Sequence, residues 1–493
     1  MPHYRNILML IAMWAATASA PAAAAPWAEP GDRRLRNDIE LLADYNVIKG
    51  PITSWPIPWA QISASLADLG DRALPLHVQR AIDRVERLMP GREDRQGIQT
   101  QFGFSVTNEP ALIRDFGDSA RGDGETFVRL ERQWSSTYVS ARVGYRDDPR
   151  NGDRHFDGSY LAQAIGNWAL YGGYMEQWWG SGQEAALIFS TNARPAPKVG
   201  FKRLEPRPFQ TKWLSWLGPW QFEGFVSLID EKREFSDHFI AGLRLTFNPL
   251  DNLEIGFTRA LQLCGDGRPC GLDIWRKALL PFDGSENTGT LNEPGNQLAS
   301  GDFRYGWSSG DASYSLYGEI MGEDEIAGLF DKISANLGAN MTRPWGQEGG
   351  FWRLGFEFTD TLANRILGSL VTNDPRVSFT NFIFTDGFTY RGRVLGPSIG
   401  GDSRSATLTG MLTDSRNWSY RLSARHIELN ETSFARLVPS ANKETLQMLE
   451  AELNAPLPWG DVQLELRLQT DSANTPGRSK ARAGFELGWR THF

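Results

Sequence analysis

The last ten residues, "GFELGWRTHF" (484–493), place Phe485, Leu487, Trp489, Thr491 and Phe493 on one side of an extended chain and Glu486, Gly488, Arg490 and His492 on the other. A period of two is the mark of a strand whose faces meet different surroundings. The same alternation recurs in "IQTQFGFSV" from Ile98, "TYVSARVGY" through Val139 and Tyr145, "FWRLGFEFT" through Trp352 and Phe358, and "DVQLELRLQ" through Val462 and Leu468. Each run is about ten residues long and bounded by Gly, Asn, Asp or Pro turns, as transmembrane β-strands are. A large soluble β-sandwich or β-helix also alternates. Two features favour a barrel: the polar face carries charges of both signs on strand after strand, and the apolar face turns aromatic near strand ends. Composition agrees, because 12 % aromatics and 18 Trp coexist with a mean hydropathy of only −0.39.

The fold expected is therefore mainly β, an outer-membrane antiparallel barrel over residues 98–493. At roughly 22 residues per strand and connection this gives about 18 strands. The closing comb has an explanation in such a barrel, as the terminal strand whose final aromatic is read by the barrel-insertion machinery.

The beginning of the chain fits export. A short basic start (His3, Arg5), an apolar run from Ile7 to Ala16 and small residues at Ala-x-Ala spacing read as a signal peptide, residues 1–24, cleaved near Ala24 because Pro21 disfavours cleavage after Ala20. Residues 25–97 form a separate helical segment. Leu35, Ile39 and Leu42 follow a capping Asp32; Trp59, Ile62, Leu66 and Leu69 follow a Pro-rich stretch; Ala81, Val85 and Leu88 come last. Three short helices make a poor core alone, so they must pack against something else.

Counting strands back from a periplasmic C-terminus puts the short turns "NAPLPWG" and "TDSRN" in the periplasm and the long connections 386–404, 428–444 and 471–483 outside. These outer loops carry Arg391, Arg393, Arg404, Arg436, Lys443, Arg478, Lys480 and Arg482, so a chain of net charge −8 presents locally basic loops. Their expected partners are anionic, either lipopolysaccharide phosphates or an acidic polysaccharide. The overall acidity argues against nucleic acid.

Catalytic and metal motifs are weak. "GPSIG" (Gly396–Gly400) matches a nucleophile elbow around Ser398, but no helix follows and no histidine completes a triad. "GEDEI" (Glu323, Asp324, Glu325) offers carboxylates of the kind that solvent usually covers. No catalytic residue, metal or cofactor is expected. Cys264 and Cys270 bracket a Gly-Asp-Gly turn and are expected to form a disulfide in an exported chain.

The stretch Tyr171–Arg203 holds Trp178 and Trp179, then Asn192 and Arg194. Flat indoles with amide and guanidinium donors suit a sugar ring; paired Trp in a barrel also serve as girdle or plug contacts.

Several segments together carry a resemblance: "LLADYNVIKGPITSWPIPW", "GGYMEQWWGSG", "STNARPAP", "WLSWLGPW", "GLRLTFNP", "IGFTRALQLCG" and "YRGRVLGPSIGGDS". Over nearly all the mature chain the sequence resembles the Wzi family of capsule assembly proteins. The resemblance implies an outer-membrane barrel plugged on its periplasmic side by the helical segment, and a lectin-like, non-enzymatic role in attaching exported capsular polysaccharide. The Cys264–Cys270 loop departs from the family pattern.

The expectation is thus a monomer in the outer membrane of a Gram-negative bacterium, binding capsular or extracellular polysaccharide. Tyr390, Arg391, Arg393 and Asp402 are the candidate contacts. Arg478, Lys480 and Arg482 add attraction, and Trp178, Trp179 and Arg194 stand second. A porin-like channel with lumen charges Arg353, Glu357, Glu465 and Arg467, and a hydrolase using Ser398, are the rivals.

Overall fold

The computed structural model describes residues 26–89, 97–147, 154–279, 295–323, 332–365, 378–381, 383–433, 439–474 and 481–493. The expected signal peptide, Arg436, Arg478, Lys480, Asp324 and Glu325 lie outside the described residues.

Eighteen antiparallel strand positions, in chain order, close into one barrel, the fourth being shared by Arg154–His155 and Tyr160–Ile165 along Thr137–Arg146. The terminal strand Arg482–His492 completes the ring against Gln99–Thr107, with Trp489 opposite Phe104. Its comb faces outward beside the other apolar faces, where Val143, Phe257, Leu337, Phe356, Leu422 and Leu466 are about half exposed. That continuous apolar exterior is the surface a bilayer covers. Trp134, Trp307, Trp345, Trp459 and Trp489 collect at the end with the short turns, which is the periplasmic end. No helix among the described residues is long and apolar enough to cross a membrane, and the strands do the crossing.

Three helices fill the periplasmic half: α1 (Arg33–Asp44), α2 (Trp59–Ala67) and α3 (Leu76–Leu88). Asp32 caps α1 by accepting the N–H groups of Arg34 (2.8 Å) and Leu35 (3.2 Å). Ile39, Leu42, Ile62, Val78, Ala81 and Val85 are completely buried. This small core is finished by Phe351 of the wall and by Phe116, Trp178 and Ala186 of loops that descend from the opposite end.

The polar face of α1 is matched to the lumen wall. Asp44 accepts from Arg304 and from Ser313 (3.1 Å), and Glu40 pairs with Arg353 and Arg36. Burial opposes ionisation of Glu40, but the Arg353 and Arg36 guanidiniums outweigh it and hold its carboxyl well below the usual range. On the wall itself Arg244 and Asp302 form a doubly hydrogen-bonded pair (2.7 and 3.0 Å) that also takes in Ser54 and Thr53 of the plug. Charges removed from water persist only when paired this way.

A fourth helix, α4 (Leu272–Leu279), follows the Cys264–Cys270 disulfide at the outer end.

Candidate functional site

Two outer connections, 108–123 and 174–197, fold inward instead of projecting. Residues 174–197 are held by wall carboxylates that accept backbone N–H groups: Glu357 takes those of Gln183 (2.6 Å), Glu184 (3.1 Å) and Ala185 (2.9 Å), and Glu319 takes that of Leu187 (3.0 Å). Glu357 is itself positioned by the Tyr317 hydroxyl at 3.0 Å. The Tyr317 ring lies across Gly338, where a Cβ would stand 2.3 Å from its Cζ, so only glycine fits.

Trp178 and Trp179 belong to this floor. Trp178 pairs in antiparallel register with Trp55 of the plug, and Phe116 packs edge-on against both, with centroids at 5.0 and 5.3 Å. Trp179 donates its indole N–H to Glu223 (3.2 Å) and packs on Phe189 and Phe225. At 1 % and 0 % exposure both rings are packed away from solvent, in the manner of the plug contacts that the sequence offered beside a sugar platform. They are plug contacts.

Beneath the floor Asp115 gathers Arg33, Arg421 and Arg425. Burial raises its pKa, but the three guanidiniums outweigh that effect and keep the carboxyl well below the usual range. The lumen charges that suggested a channel are committed in the same way: Arg353 to Glu40, Glu357 to the loop amides, and Arg467 to Glu465 at 3.1 Å. A residual cavity of about 50 Å³ beside Arg33, Asn37, Tyr317 and Arg353 holds a few waters at most, far less than a sugar.

Segment 386–404 lies over this floor. Arg393 donates to the Leu112 and Ala111 carbonyls and to Asn192 Oδ1, all at 3.2 Å, thereby fastening three connections together. Ser398 Oγ donates to the Arg114 carbonyl (2.7 Å) and accepts the Arg114 N–H (2.9 Å). That hydroxyl ties segment 386–404 to connection 108–123. Asp402 is fully buried and accepts the Thr432 N–H (2.8 Å) and hydroxyl (2.7 Å), so it joins two outer loops.

Above the floor a shallow vestibule opens. Its wall includes Glu176, Arg194, Lys198, Phe225 and Leu395. Arg194 is held by Asp157 at 3.0 Å, and burial of Asp157 is outweighed by Arg194 and Arg146, which keep it ionised. Tyr390 donates to Asp230 (2.6 Å), with the Arg391 guanidinium 3.4 Å from the same carboxylate and about one-third exposed. Tyr174 feels the charges of Asp230, Asp157, Arg194 and Arg391 together. Beside it stands the half-exposed Phe156, ring centroids 6.4 Å apart.

Of the expected contacts, Arg194 lines the opening and Arg391 acts with it on Tyr174, whereas Tyr390, Arg393, Asp402, Trp178 and Trp179 are engaged with neighbouring segments. Arg482 begins the last strand opposite Gln469, in a separate part of the rim. Phe156, Tyr174, Asp157 and Asp230 escaped the sequence reading. An aromatic beside the Asp157–Gly158 turn was the available signal, but nothing local ties it to Tyr174.

The chain matches the family described as capsule assembly protein Wzi over residues 94–482. It is 31 % identical to an uncharacterised 55.8 kDa protein in the cps region of Klebsiella pneumoniae, across 92 % of this chain and 88 % of that one. Its fold is similar to that of Wzi from Escherichia coli, described as an outer-membrane protein involved in group 1 capsule assembly and a carbohydrate-binding β-barrel. The TM-score is 0.78 at 24 % identity, over 96 % of this chain and 100 % of that chain. With a family match over most of its length and a relative above 30 % identity, the chain belongs to the Wzi family of capsule assembly proteins.

Proposed function

We propose that the extracellular vestibule binds exported capsular or extracellular polysaccharide and helps attach it at the cell surface, without catalysis. The observation that carries this reading is the surroundings of Tyr174, whose ring stands beside the half-exposed Phe156 and within electrostatic reach of two ionic pairs, Arg391–Asp230 and Arg194–Asp157. Ring faces cover the apolar side of a pyranose, and fixed carboxylates and guanidiniums exchange hydrogen bonds with its hydroxyls or acidic groups. The description of the E. coli barrel as carbohydrate-binding supports the same assignment. A non-enzymatic role is supported by the engagement of Ser398 with the Arg114 backbone.

The test is binding of the purified, detergent-solubilised protein to its host's own extracellular polysaccharide at low and moderate salt. Saturable binding that weakens with salt, and falls about five- to tenfold in Phe156→Ala and Arg391→Ala, is expected, since each loss of about 1 kcal/mol corresponds to that change. Absence of binding at both salts refutes the reading.

A further inference from the structure

On strand Leu253–Leu263, Glu254 and Gln262 point into the lumen, where Glu254 accepts from the plug at Ile52 and Thr53, so Ile255, Phe257, Arg259, Leu261 and Leu263 face outward. Phe257 is 53 % exposed as a lipid-facing residue should be, yet Leu261 and Leu263 are 1 % and 0 % exposed. Something outside the barrel covers them. The cover is the disulfide-clipped turn and α4: Cys264 and Ala278 pack on Leu261, Leu263 and Ala241, and Trp275 lies 6.2 Å from the outward ring of Phe239. Arg259, also on the outer face, donates to the Ala278 carbonyl at 3.0 Å and to Gln297. Helix α4 is therefore strapped flat against the exterior of the wall.

Its height is fixed by the strand. Leu253 pairs with Tyr305, two residues from Trp307 in the periplasmic girdle. The eight to ten residues from Leu253 to Leu261–Leu263, at about 3.3 Å each and a tilt near 40°, rise roughly 20–25 Å. That equals the height of the apolar band, so α4 lies at the outer-leaflet interface.

The face of α4 turned away from the barrel does not suit water. Ile274 and Ala278, four residues apart, seat the helix on the wall. Opposite them Leu272, Arg276 and Leu279 fall on one stripe by helical geometry. Leu272 is 89 % exposed, Leu279 45 %, and Lys277 adds a second cation in the last turn, while Asp273 lies one turn away in the first. Apolar–cation–apolar is the pattern of an interfacial helix over an anionic lipid.

We infer that α4 is an outer-leaflet docking strap whose occupant is phosphorylated lipid A: Leu272 and Leu279 enter the acyl boundary, and Arg276 and Lys277 meet the phosphates. This site is on the barrel exterior and is independent of the polysaccharide vestibule.

The full-length protein is purified in detergent and given diphosphoryl lipid A or the same lipid freed of phosphate. Co-purifying lipid is counted by native mass spectrometry. Wild type retains diphosphoryl lipid A at least fivefold better than the dephosphorylated form. The Arg276→Glu/Lys277→Glu double variant, with unchanged heat-modifiable gel mobility as proof of a folded barrel, loses that preference and keeps its polysaccharide binding. Leu272→Asp lowers retention of both forms. Equal retention of diphosphoryl lipid A by the double variant and wild type, or indifference of wild type to phosphate, overturns the assignment.

Discussion

Trp55 of the N-terminal plug and Trp178 of an outer connection face each other across a two-residue antiparallel pairing in the middle of the barrel. An element that enters from the periplasm is thereby spliced to one that descends from the cell surface. The plug and the floor of the vestibule are consequently one packed body.

Trp178→Ala removes a fully buried indole from both halves at once and is expected to cost about 3–5 kcal/mol. Heat-modifiable electrophoresis should show a lower unfolding temperature, and limited proteolysis should cut residues 26–89 faster than in wild type. A variant as protease-resistant as wild type would show that the splice is dispensable.

The lumen is closed by paired charges, so single-channel recordings of the intact protein in planar bilayers should show negligible conductance. Deletion of residues 26–89 removes the partners of Arg353, Arg304 and Arg244 and should open a measurable, salt-dependent current.

Asp115 sits among Arg33, Arg421 and Arg425. Asp115→Asn removes the carboxylate shared by three guanidiniums, which keep Glu184, Glu450 and Glu452 as partners, and should destabilise the floor by about 1–3 kcal/mol. Because the folded pKa is depressed, the stabilising contribution is full above the unfolded value near 3.9 and is lost as pH falls below it toward the folded value. Protease protection of the plug should therefore be level from pH 7 to about 5 and decline in stronger acid. The Asn variant should show a smaller decline.

Arg391 and Arg393 separate a contact from a support. Arg391→Ala should weaken polysaccharide binding about five- to tenfold with unchanged unfolding temperature. Arg393→Ala breaks three hydrogen bonds between connections, each worth about 1 kcal/mol or more with a charged donor. It should lower both affinity and unfolding temperature, and equal effects of the two variants would contradict the division.

The barrel was legible because period-two alternation is local: each strand states both its faces within ten residues, and Val462, Leu464, Leu466 and Leu468 face the membrane as the pattern required. The helices were legible for the same reason, through Leu35, Ile39 and Leu42 at helical spacing. Inward folding of 108–123 and 174–197 was not, since it rests on carboxylates far away in sequence accepting loop amides, Glu486 for the first and Glu319 and Glu357 for the second. Trp178 illustrates the limit: an aromatic in a glycine-rich stretch looks alike whether it awaits a ligand or a distant Trp55. Helix α4 left a faint trace, the four-residue spacing of Ile274 and Ala278, too short to stand out against the loop around it.

The seam between the first and last strands has a consequence for synthesis order. Helix α1 leaves the ribosome early, yet Glu40 and Arg33 are fastened to Arg353 and Glu452, 313 and 419 residues later. Contacts of such separation cannot form until nearly the whole polypeptide has been delivered, and closing so long a loop is entropically slow. These contacts of helix α1 must therefore wait while the wall is laid down strand by strand, and the segment is enclosed as Trp489 meets Phe104. In this protein the cork is made first and seated last.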